Sequence, residues 1–117
     1  MTNEDAQDYL STRAYNEGIT VDDLMEMTPT SVSDCPQEAA TFWQQRDYSH
    51  IQPVSTHPHL ADDPDNGMPE DPSPNRSRGA EIMSSNEQFE AWLDNEILAM
   101  EIDVASTTDM EILTTWV

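Results

Sequence analysis

Carboxylates are the reactive groups that this sequence supplies in quantity. It carries 24 Asp and Glu against four basic residues, all of them arginine, for a formal net charge of −20. Paired carboxylates can do general acid/base work, but only in a dry pocket that drives their pKa values apart. With 36% hydrophobic residues, the chain has little apolar material to wall such a pocket. No GxGxxG, Walker A, GxSxG or HExxH pattern occurs. The sequence reads as non-enzymatic, with no catalytic residue and no cofactor to assign.

Metal ligation is the next chemistry to weigh. His50, His57 and His59 lie near Asp62 and Asp63, and imidazole with carboxylate suits zinc. Pro58 separates His57 from His59 and holds them extended, whereas structural zinc sites show tighter Cys/His pairs. Residues 62–67, Asp-Asp-Pro-Asp-Asn-Gly, faintly suggest an EF-hand loop. Placing Gly67 at the invariant glycine puts Pro64 and Ser73 where Asp/Asn and Glu belong, so the match fails. No metal site is assigned. Cys35 is the only cysteine, which excludes an intrachain disulfide.

The charge itself remains. Carboxylates three or four residues apart on a helix lie roughly 5–6 Å apart at Cβ, near the spacing of phosphates along a nucleic-acid strand. Rows of them suit a basic site built for DNA or RNA, where charge-assisted hydrogen bonds from Arg and Lys would receive them. The candidate contact acids are Asp22, Asp23, Glu26, Glu90, Asp94, Glu101 and Asp103. The expected partner is the basic surface of a nucleic-acid-processing protein, and the expected role is inhibition by nucleic-acid mimicry. That is the antirestriction or anti-CRISPR manner of phages and mobile elements. Direct nucleic-acid or membrane contact is not expected, because this charge repels phosphates and anionic lipid alike. The helix–turn–helix-like spacing over residues 3–27 does not alter that, since the segment holds seven acids and one arginine. The pentapeptide Ala14-Tyr15-Asn16-Glu17-Gly18 is similar to a short stretch of ArdA-type antirestriction proteins. The likeness stops at those five residues, and no membership is drawn from it.

Two other roles fit the same composition. An immunity protein or antitoxin would cap one basic toxin through an apolar anchor, with charge as a steering rim. An adaptor would dock through Thr114-Thr115-Trp116-Val117, which resembles a class I PDZ ligand.

The elements that must position these groups follow from periodicity and punctuation. A chain of 117 residues makes one small domain with a modest core, helped by a partner, a second copy or salt. The sequence predicts a mainly α fold, in which N-terminal helices pack with a C-terminal amphipathic helix around a long Pro/Asp-rich loop. The N-terminal part, residues 2–48, reads as three helices. Thr2 with Asp5, and Thr20 with Asp23, form capping boxes, and Ile19 and Leu24 form a staple. Gly18 stops the first helix, Thr28-Pro29 stops the second, and a third runs from Pro36 to about Tyr48. Residues 49–84 hold six of the eight prolines and read as a loop or linker, mobile unless a partner orders it.

Residues 85–117 open on a capping box of Ser85 with Gln88. Phe89, Trp92, Leu93, Ile97, Met100 and Val104 then recur at helical spacing as one apolar stripe. With Trp43 they are the apolar candidates, for the core or for a partner or second copy. Core burial on the N-terminal helices is the leading expectation. Ser106 with Asp109 is expected to start a short last helix carrying Met110, Leu113 and Trp116. The N-terminus shows no basic and apolar leader pattern, and no apolar run approaches the ~18–20 residues of a membrane span. A cytoplasmic location is expected.

Overall fold

A computed structural model describes residues 1–115, with side chains described through residue 106. The fold is the helical one expected, and its N-terminal helices start and stop where their caps dictate. Helix α1 (Asn3–Glu17) opens on a reciprocal box: the Asp5 amide donates to Thr2 Oγ1 at 3.0 Å, and the Thr2 amide donates to the Asp5 carboxylate at 3.1 Å. Gly18 ends it in the left-handed region at φ 76°, where a side chain is strained. Helix α2 (Val21–Glu26) repeats the box with Thr20 and Asp23. A short α3 (Thr30–Ser33), not anticipated in the sequence, follows Pro29.

Helix α4 (Pro36–Gln44) is shorter than expected, and Tyr48 lies in a strand. The cause is Arg13 of α1. Its guanidinium donates to the carbonyls of Trp43 and Arg46, both at 2.8 Å. A cation thus satisfies carbonyls at the helix's negative end, and the chain is free to turn there. Arg13 also lies 5.3 Å from the Trp43 ring centroid and pairs with Glu17 at 3.2 Å.

The core forms between α1 and α4. Ala6, Leu10 and Ala14 face Ala39, Ala40, Phe42 and Trp43, with Leu24, Val32, Tyr48 and Ala99 closing it. Trp43 is fully buried, so of its two expected roles it takes the core one. Its indole N–H donates to Thr28 Oγ1 at 2.9 Å, and that hydroxyl donates to the Leu24 carbonyl at 2.8 Å. The buried polar edge of the ring is therefore satisfied.

The Pro/Asp-rich centre holds no long helix, but about half of it folds into short elements the sequence did not disclose. Strands β1 (Asp47–His50) and β2 (Gly67–Glu70) pair antiparallel, with Tyr48 opposite Pro69. Pro69 is tolerated because a two-stranded sheet has only edges. Two 3-10 turns, Pro58–Leu60 and Pro64–Asn66, lie between the strands. Asn66 cross-braces the loop: its amide donates to the Gln52 carbonyl at 3.1 Å, and its side-chain oxygen accepts from the Gln52 amide at 2.8 Å. Helix α5 (Pro72–Arg78) follows β2, and buried Met83 leads into α6 (Ser85–Thr115).

Helix α6 begins on Ser84 rather than on the Ser85–Gln88 box. Ser84 Oγ accepts from the Glu87 amide at 3.1 Å, and Glu87 accepts from the Ser84 amide at 3.0 Å. The backbone then runs helical to Thr115, through the region where a separate last helix was expected. The side chains of Met110 and Leu113, and the Trp116-Val117 end of the PDZ-like tail, lie outside the described residues. Its 31 residues span roughly 46 Å at 1.5 Å each, which accounts for most of the molecule's 58 Å length.

Candidate partner-binding face

The 3.6-residue repeat gives α6 two apolar faces on opposite sides, and only one is covered. Ala91 and Ala99 are buried, and Leu98 and Ile102 are partly buried against the core. Small residues let the helix approach β2, α3 and α4 closely. Asn95, also buried, fixes the register by donating to the Pro69 carbonyl at 2.6 Å.

The opposite face carries the expected stripe, and here the structure corrects the leading expectation. Phe89, Trp92, Leu93, Ile97, Met100 and Val104 are not core; each is 43–59% exposed. The sequence contains two interleaved apolar sets, and the one with Ala91, Leu98, Ala99 and Ile102, not the bulkier stripe, packs on the body. Ala91, Asn95 and Ala99 form the closest part of the packed seam, with Leu98 and Ile102 partly buried beside them. Phe89 and Trp92 meet at the N-terminal end of the outer face, ring centroids 6.0 Å apart.

Carboxylates border this face on both sides. Asp94 and Glu101 follow one edge, Glu96 and Asp103 follow the other, and Glu90 lies in line with the stripe at its N-terminal end. Trp92 and Glu96 share a groove with Glu26, Pro29, Met68 and Pro69, so α2 contributes one candidate acid to the same region. Glu90 and Asp94 share a cleft with Glu70, Arg78 and Glu87. Asp22 is exposed in the first turn of α2, while Asp23 is committed to its cap. Asp103 is half-buried beside Glu38 of α4. Burial, then the Asp103 charge, raises the Glu38 carboxyl above its ordinary range.

All four arginines are committed within the fold. Besides Arg13, Arg46 pairs with Asp94 at 2.6 Å, Arg76 with Asp47 at 3.2 Å, and Arg78 with both Glu70 and Glu87. Asp94 is therefore part of a link between α4 and α6 as well as half exposed. Arg46 and Asn95 were not singled out in the sequence. Scarcity was the available signal for Arg46, because each of four arginines among 24 acids is expected to meet a carboxylate.

The Arg78 cluster ties α5, β2 and the start of α6 together. Arg78 and Glu70 have side chains only 5% and 3% exposed, and Glu87 joins from the surface at 2.8 Å. Arg78, then the Ser84 amide and hydroxyl, lowers the Glu87 carboxyl to about 2. Its unfolded-state value lies in the ordinary range, so the unfolded chain takes up this proton first on acidification. The stability Glu87 contributes is thus full above the ordinary carboxylate range and is lost as pH falls from there through about 2. Carbon-detected NMR titration should place Glu87 at about 2, and Arg78→Met should raise it.

His50 Nε2 lies 3.2 Å from the Ala61 carbonyl, and His57 Nδ1 lies 2.8 Å from Thr56 Oγ1. Among the described residues, no three His, Cys, Asp or Glu side chains converge as a metal site. Among the same residues, no helix is long and apolar enough to cross a membrane. No family model, curated protein or solved structure matches the chain.

Proposed function

We propose that the chain is a non-enzymatic binding protein that covers the basic, nucleic-acid-binding surface of a cytoplasmic partner protein and so inhibits it. The observation that carries this reading is the outer face of α6: exposed apolar side chains with carboxylates along both edges. A face of that composition favours a partner with an apolar centre and a basic rim. The commitment of every arginine to internal pairs supports it further, because it leaves the field around the molecule strongly negative. Such a field steers a basic partner into encounter and is screened by salt. The acids would stand where phosphates otherwise sit.

Capture on the immobilised chain at low salt, with identification of the bound proteins by mass spectrometry, tests this. The reading expects a DNA- or RNA-processing protein that is released by added nucleic acid and by high salt. Recovery only of proteins that nucleic acid leaves in place would count against it.

The immunity or antitoxin reading draws on the Phe89–Trp92 pair, whose exposed rings suit a single anchor pocket. In that case Trp92→Ala would weaken binding more than neutralising Glu90, Glu96 and Glu101 together.

A further inference from the structure

The seat on α6 has a register, and the register specifies its occupant. With Ile97 at heptad position a, Leu93 and Met100 fall at d and Val104 at the next a, a spacing of four, three and four. These four exposed residues form a seam about 17 Å long at 1.5 Å per residue. The flanking e positions are Asp94 and Glu101, and the flanking g positions are Glu96 and Asp103. All four are acidic. Glu90 at the preceding a position closes the seam, and the Phe89–Trp92 pair lies beside that end.

In two-helix packing, e and g side chains meet across the interface and select the partner. A second copy laid parallel would set each g acid against an e acid. Laid antiparallel, it would set e against e and g against g. Either arrangement places carboxylate opposite carboxylate; Arg46 offsets Asp94 alone, and Glu96, Glu101 and Asp103 have no arginine beside them. The complement is a helix with apolar a and d positions and Lys or Arg at e and g. We infer that the partner engages α6 through a basic-flanked amphipathic helix, laid along Leu93, Ile97, Met100 and Val104. This rests on the binding role proposed above and specifies how the partner is gripped.

Three synthetic peptides of equal length test it against the full chain. The first carries Leu and Ile at a and d with Lys and Arg at e and g. The second has the same composition with its order scrambled so that no stripe forms. The third keeps the stripe but has Glu at e and g. Amide NMR shifts locate binding, and calorimetry measures it. The first peptide should bind over residues 93–104, at least on the order of tenfold tighter than the second, and the third should not bind. Ile97→Ser with Met100→Ser should lower the first peptide to the level of the second. As an independent check, Glu96→Lys with Glu101→Lys should gain binding to the third.

Equal binding of the first two, with shifts spread over the acidic surface, would overturn the helical seat and leave the proposed function standing. Failure of all three at low salt would overturn the seat and weaken the proposed function with it. A concentration-dependent dimer abolished by Ile97→Ser would assign the seat to a second copy and overturn the inference. Binding as expected, with no captured protein displaceable by nucleic acid, would uphold the seat and reject the proposed function.

Discussion

Arg78→Met is expected to destabilise the fold by roughly 3–5 kcal/mol, because it strands a buried carboxylate. Glu70 is 3% exposed in its side chain, and both of its oxygens are bonded by Arg78. Without the guanidinium, its charge would stand in low dielectric with no counter-charge. The same loss frees Glu87 from α5 and loosens the first turn of α6. Domains of this size are stable by about 5–15 kcal/mol in total, so a loss of this size can leave the chain largely unfolded at moderate urea. The double variant Arg78→Met with Glu70→Leu should recover most of that loss, because an apolar pair removes the desolvation cost along with the attraction. Urea unfolding of the parent, single and double variants measures it. Equal stability of the parent and the single variant would mean that the cluster is not the clamp between α5, β2 and α6.

The second large effect separates the two faces of α6. Ala99 is fully buried against the core. Ala99→Leu overpacks that seam and should destabilise by about 1–3 kcal/mol. Ile97→Ser, on the opposite face, should change stability by no more than about 0.5 kcal/mol, because its site is 48% exposed. Had the bulky stripe been core, as the periodicity alone suggested, the ranking would be reversed. Thermal or urea melts of the two variants decide between these geometries without knowledge of any partner.

This contrast marks where the sequence stops being informative. Caps are local chemistry, so Thr2–Asp5, Thr20–Asp23 and Gly18 are legible, and so are the helices they bound. The end of α4 is not local. It depends on Arg13, thirty residues earlier in the chain than Trp43, and nothing in the α4 sequence announces it. The central segment reads as loop because its prolines exclude long helices; no long helix forms there, but strands, 3-10 turns and α5 do. Its order comes from pairings such as Asn66 with Gln52 and Ser49 with Asn75, which separation along the chain conceals. In α6, hydropathy ranks Leu, Ile and Trp above Ala. It therefore finds the bulkier stripe and assigns it to the wrong side, because the face that packs mixes Ala91, Asn95 and Ala99 with only Leu98 and Ile102. The edge acids were identified by type and spacing. That Asp94 also holds Arg46, and that Asp103 leans on Glu38, required the fold.

The claim that matters most is that the outer face of α6 is the binding surface. Parallel capture by the parent chain and by the variant Leu93→Ser with Ile97→Ser tests it most directly, with matched melts confirming that both are folded. The expected result is that the parent retains a nucleic-acid-displaceable protein at low salt, and that the variant retains at most about a tenth as much. Equal retention by the two would contradict the claim and place binding elsewhere on the acidic surface.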